Sequence, residues 1–184
     1  MSRSEIRVGG LGGQGVILCG TIIGKAASIY DHKHSGMIQS FGPEARGSSC
    51  SAQVILSDEV IGYPYVRNLD VLVAMSNDAC HKFLPELKKD GVLLYEEELV
   101  SFPEGTRPAK AWGIPATRFA EELGRKLVLN IVMVGFFAGV TGLVSRQAAE
   151  AAVRDSVPAG TEGLNLKAFA RGYEYGRELV GGAA

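Results

Sequence analysis

Five glycines within seven residues equip this chain to hold an anion, in the stretch Arg7-Val8-Gly9-Gly10-Leu11-Gly12-Gly13-Gln14-Gly15-Val16. A β-branched start runs into the glycines and then into the apolar run Val16-Ile17-Leu18-Cys19-Gly20-Thr21-Ile22-Ile23, an order that reads strand, tight turn, helix. Such a turn builds a phosphate-sized nest, because unpaired N–H groups and the positive dipole end of a helix start converge on one point. Glycine suits it because several positions favour φ > 0 and because a side chain would hold a ligand off the backbone. Read literally, Gly10-x-Gly12-x-x-Gly15 is a dinucleotide fingerprint. That fingerprint also needs an acidic residue about twenty positions on, at the end of a second strand. Asp31 lies near that distance, but 16–30 reads as one helix and His32-Lys33-His34 follows as loop. A kinase-type phosphate loop is excluded, since no Gly-Lys-Ser/Thr follows the glycines. Three readings stay open: a turn that only bends the chain, a dinucleotide site weakened by that mismatch, and an anion site without dinucleotide geometry or a turn docked on another subunit.

A second constellation is Ser40-Phe41-Gly42-Pro43-Glu44-Ala45-Arg46-Gly47-Ser48. Gly42 and Pro43 set a turn, Phe41 offers an aromatic face, and Glu44 and Arg46 sit close enough to act together. The plain reading is a surface loop with a local ion pair worth about 0–1 kcal/mol. The functional one is a loop presenting the planar fork of Arg46 to a carboxylate or phosphate. Local chemistry leaves the two level.

The other reactive side chains form no constellation. His32 and His34 lack a third ligand at metal-site spacing and read as solvated loop residues. His81 reads as exposed on a polar helix face, Cys19 as a small buried hydrophobe. Cys50 is the cysteine closest to the 40s loop. The three cysteines, Cys19, Cys50 and Cys80, make no C-x-x-C pair, which excludes a ferredoxin-type cluster on this chain alone and argues against zinc.

The elements that must position these groups alternate. Strands are expected at 6–9, 52–57, 70–75 and 92–95, the last two as continuous apolar runs of the buried parallel kind. Residues 60–66 read as an extended piece demoted by Pro64. Helices are expected over 13–30, from a Ser76 or Asn77 cap through Phe83 towards 87, over 117–126, over 127–143, after Ser145, and over 164–179. Residues 31–49 read as a polar connection, and 88–91 as the end of the second helix. The run 127–144 approaches membrane-spanning length, with Arg125, Lys126 and Arg146 flanking it. Asn130, Gly135, Gly139, Thr141 and Gly142 within it favour a buried core helix. The whole of 1–184 reads as one α/β domain: a mostly parallel sheet, helices on both faces and a helical C-terminal portion from about 117.

Composition sets the outer bounds. Of 184 residues, 46% are hydrophobic and 21% charged, an ordinary globular balance. A formal net charge of −1 offers no electrostatic case for nucleic acid or an anionic membrane. No export signal is visible at the N-terminus, and unpaired cysteines suit a reducing compartment, so a cytoplasmic protein is expected.

Three segments taken together carry a resemblance. Gly10-Leu11-Gly12-Gly13-Gln14-Gly15-Val16, then Ser40-Phe41-Gly42-Pro43-Glu44-Ala45-Arg46-Gly47, then Asp70-Val71-Leu72-Val73-Ala74-Met75-Ser76 look like the gamma subunit of 2-oxoacid:ferredoxin oxidoreductases. The match continues through Ala79, Lys82 and Phe83 to Asn130, and so covers most of the chain. It departs from the family at Phe41, where tyrosine is usual, and at Ser48, where a second glycine is frequent.

The resemblance implies a Rossmann-like module that is not active alone. The family decarboxylates a 2-oxoacid on thiamine diphosphate, passes electrons through iron–sulfur clusters to ferredoxin and releases an acyl-CoA. With no Gly-Asp-Gly signature and no cluster cysteines here, thiamine diphosphate, magnesium and iron–sulfur clusters are expected on partner alpha, beta and ferredoxin-like delta subunits. Coenzyme A is the ligand implied for this chain. Its implied binding set is Gly10, Gly12, Gly13, Gln14 and Gly15, with Phe41, Glu44 and Arg46 from the 40s loop at the subunit boundary. The 2-oxoglutarate type is favoured, because short separate gamma chains resembling this one are common there. A free-standing nucleotide- or CoA-binding module and an NAD-dependent dehydrogenase are the rivals. In isolation the chain is expected to self-associate, for example as a homodimer, through the face its partners would cover.

Overall fold

A computed structural model describes residues 3–42, 47–102, 105–108 and 110–182. The strands are β1 (Arg3–Leu11), β2 (His34–Phe41), β3 (Ser49–Ser57), β4 (Leu69–Ala74), β5 (Leu87–Glu96) and β6 (Ala111–Ile114). The helices are α1 (Val16–Lys25), α2 (Asn77–Phe83), α3 (Ala116–Glu122), α4 (Leu129–Thr141), α5 (Arg146–Arg154) and α6 (Glu162–Gly181). A widened π turn over Ala26–Tyr30 prolongs α1.

The strands form one sheet in the order β2-β3-β1-β4-β5-β6. β1, β4, β5 and β6 are mutually parallel, and β3 runs antiparallel between β1 and β2. Successive side chains on a strand point to opposite faces, and both faces of the middle strands are apolar. Val71 and Val73 of β4 join the larger core with Ile6, Val8, α1 and the C-terminal helices. Leu72 and Ala74 join a smaller one with Ala79, Cys80 and Phe83 of α2. Helices therefore lie on both faces, but unequally: α2 stands against the face opposite to α1 and α4.

α4 explains why 127–144 is so apolar. It runs alongside α6 in the same direction, backbone against backbone. A Cβ on Gly135 would overlap the carbonyl oxygen of Phe169, one on Gly139 that of Tyr173, and one on Gly172 that of Val132. Gly176 faces Phe136 in the same seam. Glycines four apart on both helices let the axes approach this closely, and the remaining surface of α4 is buried by the sheet and by α1 and α5. Among the described residues, no helix is long and apolar enough to cross a membrane.

Three expectations need correction. Residues 34–41, read as part of a polar connection, form β2. It is an edge strand with little buried surface, so selection for an apolar face, the main strand signal, is absent. Residues 88–91, read as a helix end, belong to β5, because α2 already stops at Phe83 and a single 3₁₀ turn over Leu84–Glu86 leads into the strand. A register shift between Leu69↔Leu87 and Val71↔Val92 absorbs that polar start. The four-residue β6 adds a strand where none is expected, since Ala111–Ile114 is too short to show a period. The remaining differences are of boundaries: α1 begins at Val16 rather than 13, and α3 ends at Glu122 rather than 126.

Candidate functional site

The glycines divide into those that pack and those that face open space. Gly10 pairs with Cys50 in the sheet, and a Cβ there would meet Gln14 Oε1 at 2.6 Å and Val16 Cγ2 at 2.8 Å. Gln14 fills this space as a brace. Its Oε1 accepts from Leu11 N at 2.7 Å and its Nε2 donates to Met75 O at 2.8 Å, tying the end of β1 to the end of β4. The Gly12 N–H donates to Ser48 O at 2.9 Å and Gly47 N–H donates back to Gly12 O at 3.4 Å, so the glycine turn is clipped to the far end of the 40s loop. Gly13 has φ 99°, and a Cβ on it would find nothing within 4 Å; Gly15 has φ 73° with Asn130 pressed against it. Both φ values are in the left-handed region that glycine reaches without strain.

Gly13 and Gly15 form one wall of a cleft of about 270 Å³ at the start of α1. The first-turn N–H groups of a helix have no intrahelical acceptor, and here they sit beside that wall. Arg125 stands exposed on the rim, while Leu18, Leu127, Val157 and Leu164 give the cleft an apolar side. Leu127 is 77% exposed. Asn130 donates its Nδ2 to Gly15 O at 3.4 Å, and Asn165 donates to Thr161 O at 2.9 Å, so both amides hold the cleft walls rather than solvent. Chemically the place suits a ligand with an anionic group at the helix start and a flexible apolar arm beyond it.

The other expected site residues are those of the 40s loop. Phe41 is 66% exposed at the end of β2 and borders a different pocket, on the α2 side of the sheet. Glu44 and Arg46 lie outside the described residues. Sequence reasoning missed Arg125, which it read only as a flank of an apolar helix; the Gly124-Arg125 pair directly before that helix was the available signal. It also missed the 157–161 turn and the first turn of α6, whose contribution arises only from tertiary packing.

Among the described residues, the acid that the dinucleotide reading would give to a ribose is engaged elsewhere. Asp31 spends both carboxylate oxygens on the start of α5, accepting from Ser145 N and Ser145 Oγ at 2.7 Å each. The strand beside β1 on that side is the antiparallel β3, which brings its N-terminal serines, not a C-terminal acid, to the glycine edge.

His32 sits at φ 54°, and His34 opens β2. Among the described residues no group of three or more His, Cys, Asp or Glu side chains is placed to hold a metal ion. Cys19, Cys50 and Cys80 are free and buried in different elements. Burial pushes the Cys19 thiol up to about 12 and that of Cys80 to about 11. Glu96, at the end of β5, is fully buried. Its Oε1 accepts from Thr117 N at 3.3 Å while Oε2 has no partner among the described residues, and burial raises its pKa from the ordinary carboxylate value.

Comparison with known proteins agrees with this architecture over nearly the whole chain. The family model described as pyruvate ferredoxin/flavodoxin oxidoreductase matches residues 5–175. The chain is 47% identical to the 2-oxoglutarate synthase subunit KorC of Methanothermobacter thermautotrophicus, over 97% of this chain and 95% of that one. Among solved structures it is similar to the gamma subunit of a keto/oxoacid ferredoxin oxidoreductase from Geobacter sulfurreducens, with a TM-score of 0.81 and 41% identity, covering 94% of this chain and 98% of that one. A 2-oxoglutarate:ferredoxin oxidoreductase from Magnetococcus marinus, solved with 2-oxoglutarate, coenzyme A and succinyl-CoA bound, shares the fold at a TM-score of 0.83 and 22% identity, over 97% of this chain and 32% of that one.

Proposed function

Because this chain belongs to the pyruvate ferredoxin/flavodoxin oxidoreductase family, we propose that it serves as the gamma subunit of a 2-oxoglutarate:ferredoxin oxidoreductase and contributes the cleft at the start of α1 to coenzyme A binding. The observation that carries the ligand assignment is the cleft itself: left-handed Gly13 and Gly15 at a helix N-terminus, a cation on the rim and an apolar flank. A phosphate of coenzyme A meets the helix start and Arg125, and its pantetheine arm follows Leu18 and Leu127 out of the cleft. At about 270 Å³ the cleft takes part of such a ligand and not all of it. The remainder lies against a partner subunit, which agrees with the exposed Leu127 at the rim.

Relatives named 2-oxoglutarate synthase subunits support the 2-oxoglutarate assignment. The decarboxylation and electron-transfer chemistry belongs, on this reading, to alpha, beta and ferredoxin-like delta chains carrying thiamine diphosphate, magnesium and iron–sulfur clusters, with ferredoxin as the acceptor. In support, the three buried, separate thiols of this chain are poor cluster ligands. The role of this chain is to bind and orient.

Steady-state kinetics of the assembled complex test the ligand reading. Arg125→Glu should raise KM for coenzyme A about tenfold or more with little change in kcat, the pattern of lost uniform binding. An unchanged KM for coenzyme A would remove the cleft from the site.

A further inference from the structure

On the opposite face of the sheet lies a second pocket, of about 260 Å³, whose floor is three strands wide. Register sets Ser40, Ser51 and Gly9 side by side in one row across β2, β3 and β1, and Ile38, Gln53 and Arg7 in the next. Lys82, Phe83 and Glu86 form the wall. Arg7 is only 9% exposed, an unusual depth for a guanidinium in the middle of a strand. It stacks over Phe83 at 4.4 Å, and its Nη2 meets Glu86 Oε2 at 2.9 Å. Its Nε, with no exposed surface, has no hydrogen-bond partner among the described residues. A buried donor left unmade is costly, and the described residues leave this one unmade.

We infer that this pocket is a binding site for a small two-oxygen anion, a carboxylate or a phosphate monoester, with the Nε–Nη2 edge of Arg7 as its anchor. That edge is a two-pronged donor matched to such groups, and Glu86 engages one prong. Glu86 is an internal stand-in: its side chain is 37% exposed and has room to swing towards solvent when a ligand takes both prongs. The surroundings fit the same chemistry. Among the described lining residues two cations, Arg7 and Lys82, stand with one carboxylate, Glu86. Ser51 adds a hydroxyl from the floor. The Oε1 of Gln53 is taken by Val66 N at 3.1 Å, which turns its amide nitrogen into the remaining donor. Exposed Phe41 at the rim gives an apolar or ring-bearing ligand body a surface to lie on. The site is separate from the coenzyme A cleft and does not depend on it.

Titration of the isolated full chain with inorganic phosphate and with acetate, followed through the Arg7 Nε–H resonance, distinguishes the two anion classes. A saturable shift is expected with one or both, about tenfold tighter in Glu86→Gln, where the internal competitor is neutral, and unchanged in Arg125→Ala. Ser51→Val, which keeps Arg7 and its resonance but fills the floor, should weaken binding. Arg7→Met should abolish saturable shifts of the neighbouring Ser51 and Gln53 amides. No saturable shift in either the wild type or Glu86→Gln overturns the proposal, as does anion binding that Ser51→Val leaves untouched.

Discussion

Asn130 occupies the space that a side chain at Gly15 would need, and its Nδ2 donates to the Gly15 carbonyl at 3.4 Å. The turn that opens α1 and the first residues of α4 are thus built around each other. Gly15→Ala meets both a left-handed φ of 73° and this amide, and should destabilise the chain by about 1–3 kcal/mol in urea unfolding. Combining it with Asn130→Ala should recover part of that loss. A cycle showing strict additivity would mean that backbone strain alone sets the cost.

The α4–α6 seam gives a harsher test. An alanine at Gly135 or Gly172 places a methyl on the neighbouring helix's backbone carbonyl, with no flexible side chain to yield. Each should cost about 3 kcal/mol, at the upper end of overpacking substitutions. Gly163→Ala, a glycine of α6 with open space around it, should be neutral or slightly stabilising in the same denaturation series.

Gln14 predicts a local rather than a global defect. Gln14→Ala strips partners from the Leu11 N–H and the Met75 carbonyl at the junction of β1 and β4. The expected loss is about 1–3 kcal/mol. Amide hydrogen exchange should quicken first at Leu11 and at the glycine turn, ahead of the strand interiors.

Glu96 makes stability depend on pH. Burial raises its pKa in the folded chain, so the folded state holds its proton more tightly than the unfolded state. The group's contribution is therefore fully present below the ordinary carboxylate pKa and is lost as pH rises through the raised value. Glu96→Gln should flatten that decline and be more favourable relative to wild type at neutral pH than at pH 4. Equal urea midpoints for the two proteins across this range would show that Glu96 does not titrate this way.

The sequence carried the middle of the sheet and the anion turn, because buried parallel strands and glycine-rich turns each have a strong compositional mark. Val71 to Ala74 and Leu93 to Tyr95 are apolar on both faces, and Gly13 and Gly15 need their φ. What stayed hidden was set by tertiary partners. β2 is polar because it is an edge strand, and the stretch starting at Lys88 is polar because β5 begins in solvent. Gly135, Gly139, Gly172 and Gly176 mean little until two helices are brought together. Nothing in the sequence marks Arg7, which is set apart by its depth and by an Nε without a partner among the described residues.

The glycine seam between α4 and α6 also bears on the cleft at the start of α1. Asn130 and Ile131 from the start of α4, and Leu164 and Asn165 from the start of α6, line the same cleft. Welded carbonyl to glycine, the two helices behave mechanically as one beam, so neither wall moves without the other. Gly15, held by Asn130, goes with that beam, and the lining that belongs to neither helix is the 157–161 turn. A subunit that leaned on that turn would change the width of the cleft while leaving the beam, and the registry of its two walls, untouched.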